Sequence, residues 1–308
     1  MSFDATVLVS LGSPRDFSEE SCRDFLREFL SDRAVVPLPD LLRNFLAKRV
    51  AKKRAGRFLE MLKLCSRNSK TQSAYYLDNI CSALSRKTGV KTYWAGVCGS
   101  PKVSDIVGKI RPMGDLSGIL FIVLYPQCAS ATTEPAVAAI EAAMRGRGPY
   151  KIVKEYCREP FYLDGICDSV RKYTSSAECI LVSFHGIPKN SLNCDSYIDD
   201  CKSTTAAIRE AFPDREVLMA WQSVMRFGRW TSPKVIDVVA SLLKRKVKKL
   251  ALVCPGFFCD CTETTLEIDR DLRKFFLENG GEKFEYVPCL NDSDTQIEIL
   301  EKLYRANI

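Results

Sequence analysis

The sequence contains one histidine and one row of carboxylates whose positions suit metal or proton chemistry. His185, the only histidine among the 308 residues, follows an apolar run and precedes Gly186 and Pro188. This context predicts a loop at the carboxyl end of a strand. A neutral imidazole there can ligate a metal ion or accept a proton near neutral pH. A single histidine is equally compatible with a structural role, so residue type alone leaves both roles open.

Three carboxylates recur at every fourth position in a second segment: Glu263, Glu267 and Asp271. On an α-helix this spacing places them in one ridge that begins at the helix N-terminus, where negative charge is favoured. Like charges at this spacing repel one another, so the ridge needs full solvation or a cation. A divalent cation that prefers oxygen and nitrogen ligands would suit it. The spacing does not distinguish a metal-handling ridge from a solvated acidic face.

The elements that must position these side chains alternate along the chain. Predicted strands cover 5–11, 91–96, 118–125, 151–155, 178–184, 216–221, 249–254 and 283–287. Predicted helices cover 19–30, 70–86, 133–145, 161–173, 196–211, 234–244, 262–278 and 294–305. Strands that are almost continuously apolar and alternate with helices indicate an α/β fold with parallel, doubly wound sheets.

The number of strands predicts two such units, which we assign to residues 1–157 and 158–308, with the last helix (about 292–305) packing back on the first. Ligands of open α/β sheets bind beyond the carboxyl ends of the strands. The strand-ending segments 11–14, 125–128, 183–186, 221–223 and 254–257 are therefore expected to face one cleft between the halves. The sequence has no glycine-rich dinucleotide or P-loop motif.

Composition excludes several classes of protein. The excess of 45 Lys and Arg over 38 Asp and Glu gives a modest charge of +7, and no basic stripe is interleaved with aromatic residues. We therefore predict no nucleic-acid binding. Short basic runs at 52–54 and 244–249 suit a solvated face, an anionic ligand or a membrane surface.

The fourteen cysteines lack zinc-site spacing, and the chain shows neither a signal-peptide pattern nor an apolar run long enough to span a bilayer. We expect a cytoplasmic protein with reduced thiols.

The order of its motifs makes the sequence resemble the ferrochelatase family over about residues 5–304. The motifs are LVSLGSP (8–14), FLREFLSDRAVV (25–36), LYPQCASATT (124–133), SFHGIP (183–188), WQS (221–223) with Trp230 and Pro233 following it, and CPGFFCDCTETTLEID (254–269). The resemblance implies two similar Rossmann-like domains around a central porphyrin cleft. It also implies insertion of Fe²⁺ into protoporphyrin IX to form protohaem, the terminal step of haem biosynthesis. The HGIP tetrapeptide is more similar to the protoporphyrin-using branch than to the coproporphyrin-using one.

The resemblance also implies roles for individual residues. His185 matches the catalytic histidine at the metal site, and Glu263 matches the glutamate that faces it. Glu267 and Asp271 match the acidic ridge behind that glutamate, which handles metal or protons, and Asp260 matches the acid that precedes the Glu-Thr pair. The residues that match the lining of the porphyrin pocket are Tyr125, Gln222, Ser223, Trp230 and Phe257.

Several segments depart from the family pattern. Residues 65–70 lack a Gly-Ser-Pro segment, residues 97–101 lack an arginine–tyrosine pair, and the basic residue expected directly after Ser223 is displaced to Arg226. These departures cluster on the rim that would select the porphyrin. Ser130 stands where some members have a cluster cysteine and no cysteine follows Cys289, so we predict no iron–sulfur cluster and no cofactor beyond the substrate Fe²⁺. Cys259 and Cys261 remain candidate secondary metal ligands.

Two alternatives stay open at this point. One is a chelatase for another tetrapyrrole, such as a coproporphyrin or sirohydrochlorin. The other is a haem or metal carrier on the same fold that has lost catalysis. The expected partners are a porphyrin, ferrous iron and a membrane surface that the protein contacts peripherally.

Overall fold

The computed structural model describes residues 3–110, 118–225 and 228–308. Within them the chain forms two four-stranded sheets in which every pair of neighbouring strands is parallel. The α/β class with two parallel sheets is therefore confirmed. The chain divides into two compact units. Unit 1 comprises Met1–Tyr125, Ala129–Lys154 and Ile297–Ile308, and unit 2 comprises Pro126–Cys128 and Glu155–Gln296. The boundary expected between residues 157 and 158 stays a prediction.

Unit 1 is built around the sheet β2-β1-β3-β4. Its strands are β1 Ala5–Ser13, β2 Lys91–Gly99, β3 Ile119–Val123 and β4 Tyr150–Val153. Its helices are α1 Glu19–Ser31, α2 Asp40–Leu64, α3 Gln72–Thr88, α4 Val103–Ile110 and α5 Thr133–Met144, followed at the end of the chain by the larger part of α10 Asp294–Arg305. All five residues of β3 are buried, as a strand covered on both faces requires.

The sequence pattern did not predict helix α2. The middle of its buried side is formed by small residues four positions apart, Ala47, Ala51 and Ala55, and Leu62 is its only large apolar residue that is buried. Residues at this spacing lie on one face of a helix, and this narrow stripe allows α2 to pack closely on α1. Charged residues between the alanines obscured the apolar periodicity.

Unit 2 repeats the same strand order in the sheet β6-β5-β7-β8. Its strands are β5 Cys179–His185, β6 Glu216–Gln222, β7 Lys249–Val253 and β8 Lys283–Val287. Its helices are α6 Pro160–Tyr173, α7 Cys194–Ala211, α8 Val235–Lys244, a π-helix Glu263–Leu272 and α9 Arg273–Glu278. In both units the first strand lies between the second and the third, so the two sheets have equivalent carboxyl edges.

A repeated tetrapeptide follows the second strand of each unit and starts the next helix. Ser100-Pro101-Lys102-Val103 leads into α4, and Ser232-Pro233-Lys234-Val235 leads into α8. In unit 1 the Gly96 N–H donates to the Pro101 carbonyl at 2.8 Å, and in unit 2 the Trp221 N–H donates to the Pro233 carbonyl at 3.0 Å. The tetrapeptide follows β2 directly, whereas residues 223–231 separate it from β6. This added loop distinguishes the two edges.

None of the helices in the described ranges combines the length and the hydropathy that crossing a bilayer requires.

Candidate active site

His185 is the last residue of β5 rather than the first residue of a loop. Parallel pairing extends one residue further than the apolar run indicates, because His185 lies in register with Gln222 at the end of β6. The next residue has room only for a hydrogen: a Cβ on Gly186 would lie 2.6 Å from Cγ2 of Val224 and 3.0 Å from the Gln222 carbonyl oxygen. The Gly186 N–H also donates to that carbonyl at 2.8 Å. Gly186 therefore lets the chain turn closely around the end of β6.

The hydrogen bonds of His185 assign its tautomer. Nδ1 lies 2.7 Å from the Gly186 carbonyl oxygen. Because a carbonyl oxygen can only accept, Nδ1 carries the proton and the neutral ring presents a lone pair at Nε2. The backbone carbonyl of His185 accepts a hydrogen bond from the buried Tyr197 hydroxyl at 3.0 Å, and the Tyr197 ring lies 5.7 Å from that of Trp221. The Tyr197 hydroxyl thus holds the backbone of His185 in position.

The carboxylate row lies on a π-helix, which corrects the predicted α-helix over 262–278. Residues Glu263–Leu272 form the wider helix with bonds from residue i to i+5, and only Arg273–Glu278 continue as α-helix. Leu266, Ile268 and Leu272 of this helix are buried, and the last two belong to the hydrophobic core of unit 2. An apolar pattern of this kind does not distinguish the two helix types. Long π-helices are rare and are often found at functional sites.

Glu267 connects this helix to the loop after β6. Its carboxylate accepts a hydrogen bond from the Ser223 hydroxyl at 2.6 Å. Although the residue is exposed, the atoms packed around its carboxyl group raise the pKa above that of an ordinary glutamate, and the negative charge of Glu263 adds to the increase. Ser223 and His185 act in the opposite direction by favouring the ionised form. Ser223, Glu263 and His185 therefore all act on the Glu267 carboxyl.

Asp271 is the exposed end of the row. Both of its oxygens accept hydrogen bonds from the Arg270 guanidinium, at 2.6 and 3.1 Å, and this bonding lowers the pKa of the carboxyl. Across the described residues, no three His, Cys, Asp or Glu side chains are arranged to hold a metal ion together. The row therefore offers separate carboxylates rather than a closed ligand cage.

Asp260 organises the loop that leads into the π-helix. The buried carboxylate accepts hydrogen bonds from the Tyr286 hydroxyl at 2.6 Å, from Nδ2 of Asn291 at 2.7 Å and from the Thr264 hydroxyl at 3.1 Å. Its own N–H donates to Oδ1 of Asn291 at 2.8 Å. The adjacent Cys261 thiol donates to Glu263 Oε2 at 3.2 Å. Tyr286 and Asn291 were not predicted, because only the folded chain brings them to this loop.

Two buried glutamines lie near the strand ends of unit 2. Gln222 is fully buried, and its Oε1 accepts from the Ser183 hydroxyl at 2.8 Å and the Cys254 thiol at 3.3 Å. Gln127 donates to the hydroxyls of Tyr162 and Thr204 at 3.2 and 3.0 Å. In the part of the chain that the structure describes, Gln222 Nε2 and Gln127 Oε1 have no hydrogen-bond partner. Gln222 was predicted to line the pocket, whereas Gln127 was not predicted.

The other predicted pocket residues lie in different surroundings. Tyr125 belongs to unit 1, where its hydroxyl accepts from the Leu11 N–H at 2.7 Å. Phe257 is half-buried and packs against the core of unit 2. Trp230 is half-buried in the loop after β6 and pairs with Pro188 through a single antiparallel bridge. Arg226, the displaced basic residue, lies outside the described residues.

The cysteines are free thiols, and only Cys128 and Cys261 are not buried. Burial raises the pKa of the Cys259 thiol and, to a similar effect, that of Cys289, so both are protonated at neutral pH. The thiol of the candidate ligand Cys261 donates its hydrogen bond to the Glu263 carboxylate.

Comparisons with known proteins identify the family of this chain. The family model of ferrochelatases matches residues 4–308. The ferrochelatase of Methylocella silvestris is 33% identical over 96% of this chain and 91% of its own length, and that of Brucella ovis is 34% identical over 98% and 90%.

Solved structures share the fold at low sequence identity. SirB from Bacillus subtilis with Fe³⁺ superposes with a TM-score of 0.60 at 11% identity, covering 98% of this chain and 94% of that one. DR2241 from Deinococcus radiodurans, described as structurally similar to chelatases, gives 0.54 at 10% identity over 97% of this chain and 54% of its own. The match over nearly the whole chain and the identity to curated relatives decide the family: the chain belongs to the ferrochelatases, lyases that insert iron into a porphyrin.

Proposed function

We propose that this ferrochelatase inserts Fe²⁺ into protoporphyrin IX and forms protohaem, the terminal step of haem biosynthesis. The observation that carries the proposal is His185, whose Nδ1 donates to the Gly186 carbonyl and leaves Nε2 for a ligand or a proton, while its charge acts on the Glu267 carboxyl. The HGIP tetrapeptide around it supports protoporphyrin as the substrate.

The reaction requires a base because a free porphyrin carries two pyrrole N–H protons. When the iron binds the four nitrogens, both protons leave and the charge of the ion is balanced. In our proposal His185 Nε2 is the primary proton acceptor or metal ligand, and Tyr197 holds the backbone that carries it. Glu263, positioned by the loop that Asp260 organises, is its partner across the ring.

The remaining carboxylates handle the ion and the released protons. Glu267 has a raised pKa, which suits a group that gains and loses protons closer to neutral pH. Asp271, paired with Arg270 at the exposed end, is the outermost acid of the row. Separate carboxylates fit a substrate ion that has to be released, because a closed cage would retain it.

The porphyrin is held by aromatic and polar side chains in this proposal. Tyr125, Trp230 and Phe257 contact the ring, and Gln222 and Ser223 support the end of β6 beside it. Binding energy from the ring periphery can bend the macrocycle so that its nitrogens become accessible to the ion.

The test is an anaerobic comparison of tetrapyrroles with the purified protein. Turnover with Fe²⁺ is followed as loss of porphyrin fluorescence for protoporphyrin IX, coproporphyrin and sirohydrochlorin. We expect kcat/KM to be at least about tenfold higher for protoporphyrin IX. A higher value for either of the others would assign the enzyme to that tetrapyrrole. Binding of porphyrin without any turnover would indicate a carrier.

We also propose that the enzyme works without an iron–sulfur cluster. Ser130 occupies the position that a cluster cysteine would need, and a hydroxyl is a poor substitute for a thiolate ligand. Assay of the purified protein for acid-labile sulfide is expected to give none, and stoichiometric sulfide would contradict the proposal.

Peripheral contact with an anionic membrane is a further part of the proposed function. The first turns of α2 expose four large apolar side chains: Leu41 (89% exposed), Leu42, Phe45 (57%) and Leu46. Lys48, Arg49, Lys52 and Lys53 follow on the same helix. Adjacent apolar and basic surfaces suit an interface with acidic lipid headgroups. Free thiols throughout support a reducing, cytoplasmic location for this contact.

Vesicle flotation tests the membrane contact. The protein is expected to float with vesicles containing phosphatidylglycerol and to stay in solution with pure phosphatidylcholine. The double variant Leu41→Ser with Phe45→Ser should lose flotation while keeping turnover of detergent-solubilised porphyrin. Equal flotation of the variant and the wild type would exclude this surface.

A further inference from the structure

Arg43 is a buried cation at the end of the first turn of α2, and the proposed chemistry does not use it. Among the described residues it is the only lysine or arginine that is buried. It begins the stripe that Ala47, Ala51 and Ala55 continue at the same spacing of four, so it lies on the buried side of α2. Burying a charge is unfavourable unless the charge is well paired, so packing alone does not explain an arginine here.

Three hydrogen bonds pair the Arg43 guanidinium. Nε donates to the Ser31 carbonyl at 2.7 Å, Nη1 donates to the Leu38 carbonyl at 2.6 Å, and Nη2 donates to Oδ1 of Asp40 at 2.6 Å. Ser31 ends α1, Leu38 lies near the end of the connection between the helices, and Asp40 begins α2. One planar fork therefore joins both ends of this connection to the first turn of α2. We call these three hydrogen bonds the Arg43 clamp.

The start of α2 has no capping side chain, which leaves the clamp to hold it. The N-cap residue is Pro39, and its side chain makes no capping hydrogen bond. Helices more often begin at Ser, Thr, Asp or Asn, whose side chains accept a hydrogen bond from an N–H group of the first turn. In α2 the Arg43 N–H donates to the Pro39 carbonyl at 2.9 Å, and the guanidinium of the same residue binds Asp40. The first turn is thus fixed through Arg43.

The same turn carries part of the exposed apolar surface of unit 1. Leu41 and Leu42 directly precede Arg43 and are exposed, and Phe45 is exposed in the next turn. A frayed turn would have to lose conformational entropy when its side chains enter a lipid surface, whereas an ordered turn has already lost it. Order in the first turn therefore favours binding through Leu41 and Leu42.

We propose that Arg43 is the positioning residue of the membrane contact. The clamp keeps the first turn of α2 ordered before binding, so that Leu41 and Leu42 can enter a surface of acidic lipids together with Phe45. The inference rests on the proposed function, and it adds a buried residue to a contact that was assigned from exposed residues alone.

The partition coefficient of the full chain on vesicles containing phosphatidylglycerol, measured by flotation over a range of lipid concentrations, tests the proposal. Arg43→Gln is expected to lower this coefficient at least about fivefold, because the first turn must then be ordered on binding. Turnover of detergent-solubilised porphyrin should stay within about twofold of the wild type, because no partner of the clamp belongs to the residues proposed for the chemistry.

Tryptic cleavage after Arg33 reports directly on the clamp. Arg33 is exposed in the connection between α1 and α2. Local opening of a segment raises its rate of proteolysis, so Arg43→Gln should be cleaved after Arg33 at least about fivefold faster than the wild type. Peptide masses distinguish this cut from cuts at other basic residues.

Arg57→Gln is the matched control, because Arg57 is an exposed arginine of the same helix and its replacement removes the same charge. It lies about 18 Å from Phe45 along the helix axis, beyond a screening length of about 10 Å. Partition and cleavage after Arg33 should therefore stay within about twofold of the wild type. Arg43→Lys keeps the charge and the aliphatic stem but loses the planar fork, so it should lower partition at least about threefold. It provides the result if Arg43→Gln does not fold.

The outcomes separate this inference from the membrane contact on which it rests. A wild type that does not float would contradict the membrane contact and the inference together. If the wild type floats, wild-type partition of Arg43→Gln or Arg43→Lys would overturn the inference alone. An equal loss of partition in Arg57→Gln, or an unchanged rate of cleavage after Arg33 in Arg43→Gln, would also overturn it.

Discussion

The connections after β2 and β6 differ in length although the two sheets have the same strand order. In unit 1 the Gly96 N–H donates to the carbonyl of Pro101, five residues later in the chain. In unit 2 the Trp221 N–H donates to the carbonyl of Pro233, twelve residues later. The added residues carry Ser223, Arg229 and Trp230. The lysine of the tetrapeptide is paired with Glu28 in unit 1 and faces a cavity in unit 2. In our proposal the sheet provides the frame, and the longer loop of unit 2 provides part of the site.

The last residues of β1 and β5, the first strands of the two units, also differ between the units. β1 ends at Ser13, whose hydroxyl is buried and bonded to the Thr71 hydroxyl at 2.6 Å. β5 ends at His185, whose Nε2 is not used by the backbone contacts that hold the ring. The helix after the third strand also differs, since α5 is a regular α-helix and its counterpart is the π-helix with Glu263 and Glu267. We infer that unit 1 uses this edge for stability and unit 2 for chemistry.

Replacing His185 and Ser13, the last residues of β5 and β1, by alanine should give the largest difference in the rate of iron insertion. His185→Ala is expected to lower the rate of iron insertion by about 10²- to 10⁴-fold because a base or ligand is lost. The loss of stability should be small, because the only side-chain hydrogen bond described for His185, to the Gly186 carbonyl, is partly exposed. Ser13→Ala should lower the free energy of unfolding by about 1 kcal/mol and leave the rate almost unchanged. Anaerobic turnover and urea unfolding of both variants measure the comparison, which would fail if both variants lost activity equally.

Replacing Asp260 should destabilise unit 2 more than an equivalent change in unit 1. Asp260→Asn introduces a donor where Tyr286, Asn291 and Thr264 already donate, so we expect a loss of about 2–3 kcal/mol in the free energy of unfolding. Thr133→Val at the start of α5 is the matched control. The Thr133 hydroxyl is buried without a hydrogen-bond partner in the described residues, so its removal should cost less than about 0.5 kcal/mol. Similar losses would show that the Asp260 network does not stabilise the loop.

Removing the Tyr197 hydroxyl should lower kcat by a smaller factor, because this hydroxyl only positions the backbone of His185. Tyr197→Phe loses one hydrogen bond to the His185 carbonyl, worth about 1 kcal/mol, and we expect roughly a fivefold lower kcat with an unchanged KM for porphyrin. A change in KM alone would indicate that Tyr197 supports the porphyrin pocket instead.

The smallest effects are opposite pH dependences of stability in the two units. The pKa of Glu267 is raised in the folded chain, so the native state binds its proton more tightly, and stability declines as pH rises from the ordinary carboxyl pKa through the raised one. Glu301 in unit 1 has a pKa lowered by Arg305 and Lys87, so its contribution is lost as pH falls. Urea midpoints between about pH 4 and pH 7 should show that Glu267→Gln removes a decline with rising pH and Glu301→Gln removes a gain. Equal slopes in the two variants would contradict these assignments.

Local patterns predicted the fold class and the positions of most strands because buried parallel strands are almost continuously apolar. They also selected His185, Glu263 and Glu267, and the first two influence the pKa of the third in the folded chain. The π-helix was not predicted, since its apolar spacing equals that of an α-helix. Tyr197, Tyr286 and Asn291 were missed because each acts through a contact with a distant part of the chain. The pocket role of Gln222 stays a prediction, and its hydrogen bonds to Ser183 and Cys254 could not be predicted because they join separate segments of the chain.

Chemical rescue of His185 tests the central claim, that its free Nε2 accepts the proton or the metal ion. His185→Gly is assayed for anaerobic insertion of Fe²⁺ into protoporphyrin IX with increasing imidazole in solution, and porphyrin binding is checked by fluorescence. We expect a low rate without imidazole, restored in a saturable manner as imidazole occupies the vacated space. A near-normal rate without imidazole, or no rescue in a variant that binds porphyrin normally, would contradict the claim.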